Sequence, residues 1–259
     1  MTTLVTGGTG TLGRLVVARL REAHCQVRVL TRRAKEPVDG VEYATGDLDT
    51  GEGVADAVSG VGTIVHCAGS ARGDEEKARR LVQAAAKAEV RHVVNISVVG
   101  AERIPVVSGL DRAMFGYFAA QRAAEQVIAD SGLPWTSLRA TQFHDLCLLV
   151  ARQLAKLPVI PVPAGFRFQP VDAAEVAARL ADLALGDPLG VVPDLAGPRA
   201  YGMAELLRGY LRATHRSRPL LPVRMPGGAA RAIRAGANLP TGGDRGHRTW
   251  EEFLAERLP

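Results

Sequence analysis

The chain has 259 residues, 47% of them hydrophobic and 23% charged, with a net charge of +5. A core of this size fits one large domain or one domain with a smaller appendage, and the composition excludes a disordered or fibrous protein. No run approaches the roughly 20 uninterrupted apolar residues that a membrane-spanning helix needs. A strand pattern opens within two residues of Met1, which argues against a cleaved signal peptide, so a soluble cytoplasmic protein is expected. The 3 cysteines, Cys25, Cys67 and Cys147, are odd in number and set in apolar segments, which points to reduced thiols rather than disulfides or a zinc site. Residues 196–259 hold 11 Arg against 5 acids. Those arginines neither run together nor alternate with aromatics, and the chain has only 4 lysines. Coding bias therefore explains them better than a nucleic-acid surface.

In chain order, Thr2-Thr3-Leu4-Val5-Thr6 is a β-branched apolar run that ends in a glycine cluster, and Leu12, Leu15, Val16 and Leu20 then recur at helical spacing. Strands are predicted over 27–30, 41–44 and 63–68, a helix over 74–88, a strand over 91–97, a helix over 117–131 and a strand over 135–139. Strands alternating with helices imply a parallel sheet covered on both faces. The Pro-rich stretch 157–170 reads as loops and short strands, helix 172–185 as a return to the sheet, and residues 200–259 as a small helical cap. The expected architecture is α/β, a Rossmann-type doubly wound parallel sheet. Its dinucleotide-binding core is expected over 1–150, with sheet completion and a small, mostly helical substrate-binding part over 151–259.

A strand followed at once by Gly7-x-x-Gly10-x-x-Gly13 brings backbone close to a pyrophosphate, whose charge the first N–H groups of the next helix stabilise. Gly7, Thr9, Gly10, Thr11 and Leu12 are the candidate contacts. A site selective for NAD usually carries an acid about 20 residues further on, at the end of the second strand. Here that place is held by Thr31-Arg32-Arg33. Two guanidinium groups suit a 2′-phosphate, so NADP(H) is the expected cofactor.

The turn Thr6-Gly7-Gly8-Thr9-Gly10-Thr11-Leu12-Gly13 resembles that of the short-chain dehydrogenase/reductase superfamily, and within it the atypical, NmrA-like NAD(P)-binding group. So do Gly46-Asp47-Leu48, the segment Asn95 to Gly100, and the segment Ser131 to Phe143. The resemblance implies that Asp47 and Leu48 flank the adenine, that Cys67-Ala68-Gly69 passes a ribose, and that Thr141, Gln142 and Phe143 lie near the nicotinamide.

Reductases of that superfamily generally use a Ser, a Tyr and a Lys, the last two on one helix face at i and i+4. The corresponding residues are Ser97, or its neighbour Val98 if the register slips by one, then Tyr117 and Gln121. In the family mechanism the Lys holds the nicotinamide ribose and eases proton donation by the Tyr, and Gln121 brings no charge. Three outcomes stay open. Tyr117 acts as the acid with Ser97 polarising the substrate oxygen, or the proton comes from water or a substrate hydroxyl, or the protein is a non-catalytic redox sensor. His144, just past the sixth strand, is an alternative acid, with a structural role the commoner expectation for such a histidine. No metal site is expected.

The reading is an NADPH-dependent reductase, of ketoreductase type, acting on a ketone or quinone carbonyl of a bulky hydrophobic molecule, with polyketide or antibiotic tailoring as a candidate setting. The expected partners are a small hydrophobic or aromatic substrate and at most further copies of the chain, with no nucleic acid or membrane.

Overall fold

The computed structural model describes residues 1–38, 40–69 and 73–258. The elements run β1 (Thr2–Thr6), α1 (Thr11–Glu22), β2 (Gln26–Thr31), β3 (Val41–Thr45), α2 (Val54–Val58), β4 (Val61–His66), α3 (Asp74–Lys87), β5 (His92–Val98), α4 (Gly109–Ala129) and β6 (Trp135–Ala140). They continue with α5 (His144–Leu154), β7 (Ile160–Pro163), β8 (Arg167–Phe168), α6 (Ala173–Leu185), β9 (Gly190–Val191), β10 (Leu195–Ala196) and β11 (Tyr201–Gly202). The last are α7 (Met203–Ala213), β12 (Leu220–Val223), α8 (Gly228–Arg234), β13 (Asp244–Arg245) and α9 (Trp250–Arg257). No helix among the described residues is long and apolar enough to cross a membrane.

These elements form two compact units that interleave along the chain. The first takes 1–97, 119–139 and 174–192, and the second takes 98–118, 140–173 and the chain from Pro193 onward. Beside the boundary expected near residue 150, the compact units exchange at several places along the chain. Parallel strands need long crossover connections, so the chain leaves the sheet and comes back to it, as α6 does in returning to the first unit.

In the first unit the strands lie in the order β9-β6-β5-β4-β1-β2-β3. The chain begins in the middle of this sheet, runs outward through β2 and β3, and then crosses back to β4 on the other side of β1. Thr6 at the end of β1 pairs in parallel register with both Leu30 and His66. Reversal of strand order at that point opens a crevice beyond the carboxyl ends of β1 and β4, where open α/β sheets bind their ligands. Below it Leu4, Ile64 and Val93 pack against Leu81 and Ala85 of α3 and Ile128 of α4. Helix α3 follows from local chemistry. Asp74, Glu75 and Glu76 oppose the positive end of its dipole, Ala78, Leu81, Val82 and Ala85 form the inward stripe, and Glu75 pairs with Arg79 at 2.7 Å.

The second unit contains two small clusters. Trp250 and Phe253 of α9 pack with Leu207 and Tyr210 of α7 and Leu148 of α5, while Ile104, Phe118, Phe166 and Ile233 form the other. Strands β7 and β12 pair in parallel, and the stretch 157–170 holds the short strands expected there. Helix α4 starts at Gly109, eight residues ahead of the predicted 117. Ser108 explains this. Its hydroxyl accepts from the Asp111 N–H at 3.0 Å, and the Asp111 carboxylate accepts from the Ser108 N–H at 3.2 Å. This reciprocal cap outweighs the helix-weakening Gly109 and Gly116.

Because Leu81 is fully buried at the centre of the first unit, Leu81→Ala is expected to lower stability by about 2–5 kcal/mol. A urea titration of the variant against the unaltered protein measures this loss.

Candidate cofactor cleft and active site

The glycine turn is shaped by close backbone approach. Gly7 sits at φ +66°, and a Cβ there would come within 2.8 Å of the Cys67 carbonyl and the Ala68 nitrogen. A Cβ on Gly13 would overlap the Gly7 carbonyl. Gly10 leads into α1 without any side-chain cap, so the first N–H groups of that helix have no capping side chain. A cradle that side chains would fill, at an uncapped helix N-terminus, fits a pyrophosphate.

Around this turn lies a cleft of about 1000 Å³, whose lining among the described residues comes from the first unit. Gly7, Thr9 and Gly10 form its floor, Arg32 and Arg33 follow β2, Asp47 and Leu48 follow β3, and Cys67, Ala68 and Gly69 follow β4. Thr11 is exposed at the first position of α1, and Leu12 is buried behind it. Both arginines are exposed, and Lys35 stands beside them with its ammonium 5.7 Å from the Tyr43 ring centre. The Asp47 carboxylate accepts from the Asp49 N–H at 2.8 Å, which fixes the turn after β3.

Two cations of this cleft, Lys35 and Lys77, were not singled out from sequence. Lys77 reaches the cleft from the first turn of α3 and lies 3.4 Å from Asp49 and 3.7 Å from Asp74. Its signal was the scarcity of lysine: 4 in the chain, 2 of them here.

Beneath the turn, Thr6 and His66 join the ends of β1 and β4. Their side chains meet at 2.7 Å, and the Thr6 hydroxyl also accepts from the Ala68 N–H at 3.3 Å. Burial, with a smaller contribution from the Lys77 charge, lowers the His66 pKa to about 4. The ring is therefore neutral over the physiological range, and its Nδ1 shares a hydrogen bond with the Thr6 hydroxyl. Cys67 is partly exposed as a residue, but burial of its sulfur pushes the thiol up to about 12. It is therefore a protonated wall of the cleft and not a nucleophile.

The residues matching the catalytic set are differently engaged. Ser97 is buried, and its hydroxyl donates to Glu125 at 3.0 Å, while Arg139 grips the same carboxylate through Nε at 3.1 and 3.2 Å. The neighbour Val98 is a buried apolar residue. Gln121 is buried too, and its amide donates to Asp74 at 2.9 Å. Tyr117 belongs to the second unit, 43% exposed, with its ring edge-on to Phe118.

Also in the second unit are Thr141, whose hydroxyl donates to the Gln169 carbonyl, Gln142, and Phe143, which bridges to Val171. His144 is fully buried there, stacked on Phe253 and Trp250 with Nε2 3.1 Å from the Arg248 carbonyl. Its ring is thus packed among the aromatic side chains of α9. Among the described residues no group of His, Cys, Asp and Glu gathers into a metal site.

A doubly wound sheet with a glycine cradle at its switch point defines a Rossmann-type dinucleotide-binding protein. The chain belongs to the NAD(P)H-binding family, whose model matches residues 7–183. The NAD(P)-binding part of the resemblance read from the sequence is thereby upheld. A (4-alkanoyl-5-oxo-2,5-dihydrofuran-3-yl)methyl phosphate reductase of Streptomyces griseus is 34% identical over 54% of this chain and 47% of its own length. The match thus spans about half of that relative. An NAD(P)H azoreductase of Xenophilus azovorans is 27% identical over 92% of this chain and 82% of its own. In fold, an NADPH-dependent quinone oxidoreductase from Escherichia coli, solved with NADPH, superposes with a TM-score of 0.80 at 19% identity, covering 98% of this chain and 99% of that one.

The His66 pKa carries a pH dependence whose sign is fixed. A histidine that titrates at about 4 when folded, against an ordinary 6.5, binds more protons unfolded between those values. Stability is therefore complete above about pH 6.5, falls as the pH drops toward 4, and loses roughly 3 kcal/mol from this group. Urea titrations across that range are expected to show this slope, and His66→Gln to remove it.

Proposed function

We propose that this protein is an NADPH-dependent reductase of a ketone or quinone carbonyl on a bulky, hydrophobic, aromatic molecule. The observation that carries the cofactor preference is the end of β2. Arg32 and Arg33 are exposed on the cleft with Lys35 beside them, where a site for NAD would hold an acid. The reductase assignment is supported by relatives that are named for reducing an azo compound and a furanone phosphate. The structural neighbour named for quinones agrees with it. A polyketide or antibiotic substrate, and a cytoplasmic location, complete the reading.

NADPH, when bound, supplies a hydride from C4 of its nicotinamide. The chain would hold the pyrophosphate on the Gly7–Gly13 turn and the 2′-phosphate at Arg32 and Arg33, and its part in the chemistry would be positioning. The proton is taken from water or from a substrate hydroxyl. Two members of the family set support this route, because the Ser97 hydroxyl and the Gln121 amide both donate to buried carboxylates. Position 121 also brings no ammonium to ease proton loss from a tyrosine. The same feature favours a second reading, a redox sensor that binds both forms of the cofactor without turnover.

Replacing Arg32 and Arg33 together by Ala is expected to weaken NADPH binding by about 10- to 100-fold, as loss of charge-assisted contacts to a phosphate should. NADH affinity should hardly change, and fluorescence titration with the two cofactors reads both; an equal loss for both would overturn the 2′-phosphate site. Tyr117→Phe is expected to keep most of the steady-state rate against whichever quinone or polycyclic ketone of a screening panel the protein reduces. A drop of about 100-fold or more would make Tyr117 the acid, and tight NADPH binding with no oxidation by any carbonyl would favour the sensor.

A further inference from the structure

Strands β7 and β12 form a two-stranded parallel sheet within the second unit, with Ile160 opposite Leu220, Pro161 opposite Leu221 and Pro163 opposite Val223. Side chains alternate between the two faces of a strand. Ile160 and Val162 are buried and share a cluster with Leu207 and Tyr210 of α7. The other face therefore carries Pro161, Pro163, Leu221 and Val223, and Val159 continues it at the start of β7. A face turned to solvent ordinarily carries polar residues, and this one carries none. Leu221 is 55% exposed and Val159 44%. Contiguous exposed apolar surface of this kind marks a place of interaction.

Cations frame the face. Lys156 leads into β7, while Arg216 and Arg218 lead into β12, and the parallel pairing puts both approaches at one end of the sheet, where the Ile160 N–H donates to the Pro219 carbonyl at 2.9 Å. Arg224 follows β12 at the other end, and all four side chains are on exposed residues. Lys156 donates to the Gln153 amide oxygen and Arg218 to the Ser217 carbonyl, each at 2.8 Å, so these partners are neutral. The surrounding chain supplies no acid. None of the 27 Asp and Glu falls within 146–171 or 206–243, although those segments hold 10 Lys and Arg. A bias toward arginine codons accounts for Arg in place of Lys, but not for the missing carboxylates.

The chemistry of the face selects its occupant. Ile160 and Ala164 donate toward β12, so Pro161 and Pro163 stand on the opposite edge of β7 and offer no N–H there, which opposes an added strand from a peptide or a second copy. No aromatic residue stands on the face for bases to stack on, which opposes a nucleic acid. Apolar side chains ringed by cations match the boundary of an anionic bilayer, where acyl chains receive the first and phosphates the second. We propose that the outer face of the β7–β12 sheet docks this protein on the surface of a membrane that carries anionic phospholipid. The protein then lies on the bilayer without spanning it, in keeping with the absence, among the described residues, of a helix long and apolar enough to cross. The membrane surface is a partner beyond those expected from the sequence, whose segments 156–163 and 216–224 meet only in the folded chain. Docking brings a reductase of hydrophobic molecules to the phase in which they collect, a consequence that rests on the proposed function while the docking itself does not.

The test is flotation of the full chain with vesicles of phosphatidylcholine alone and of phosphatidylcholine mixed with phosphatidylglycerol. The unaltered protein is expected to bind the anionic vesicles about 100-fold more tightly than the neutral ones, and high salt should remove most of that difference. Replacing Arg216, Arg218 and Arg224 together by Gln is expected to weaken binding to anionic vesicles by about 100-fold, or about 5-fold for each charge. Leu221→Gln with Val223→Gln is expected to weaken it by about 10-fold or more, a loss that binding by charge alone would not show. Both variants should unfold at the temperature of the unaltered protein, because the altered side chains are exposed. The proposal fails if the unaltered protein binds the two kinds of vesicle equally or binds neither, a comparison that needs no variant to fold. It fails also if the Leu221 and Val223 variant binds anionic vesicles as tightly as the unaltered protein. Tighter binding to an oligonucleotide than to anionic vesicles, measured by fluorescence anisotropy, would overturn it in favour of a nucleic-acid surface.

Discussion

The approach of the Gly7 backbone to the Cys67–Ala68 backbone is the constraint on which the rest of the site depends. The contact is too close for a Cβ, and it brings the ends of β1 and β4 together at the point where the strand order reverses. The cleft exists because two strands splay their following loops apart there, and its floor is backbone because nothing larger fits. The buried contact of Thr6 with His66 lies directly beneath and ties those two strand ends side chain to side chain. Burial, helped by the Lys77 charge, keeps the imidazole neutral.

The electrostatics of the cleft follow a division along the sheet. On the β2 side Arg32, Arg33 and Lys35 are exposed, which suits a dianionic phosphate that must exchange with solvent. On the β4 side the charged groups are more enclosed, with Lys77 beside the buried Asp74, which is in contact with Gln121, and reaching the exposed Asp49 of the turn after β3. Exposed cations can bind an anion at small desolvation cost. Buried charges left unmatched would oppose folding, and Lys77 and Asp74 are partners here.

Much of the fold was legible because its signals are local or periodic. The glycine spacing, the β-branched run before it and the inward stripe of Ala78, Leu81, Val82 and Ala85 each declare an element without knowledge of its neighbours. The start of α4 was missed because a capping pair, Ser108 with Asp111, overrode two glycines, and a propensity reading weighs the glycines first. The interleaving of the two units was hidden for a different reason. Contiguity along the chain is what a sequence displays, while crossover topology decides which distant segments share a core.

The same limit explains the catalytic set. Position 121 could be read as a glutamine that lacks a charge, but its partner is 47 residues away, and no spacing rule links α3 to α4. Once Asp74 is in place, the residue is not simply a lysine that has been lost. An ammonium at 121 would stand against a buried carboxylate that already has Lys77 nearby, and its charge would be drawn into that pair rather than toward a ribose or a tyrosine. Likewise Ser97, read as a candidate for polarising a carbonyl, gives its proton to a carboxylate that Arg139 holds from the other side. Both departures point the same way. The buried carboxylates Asp74 and Glu125 take hydrogen bonds from the two side chains that the resembled mechanism would direct to the nicotinamide ribose and to the substrate oxygen.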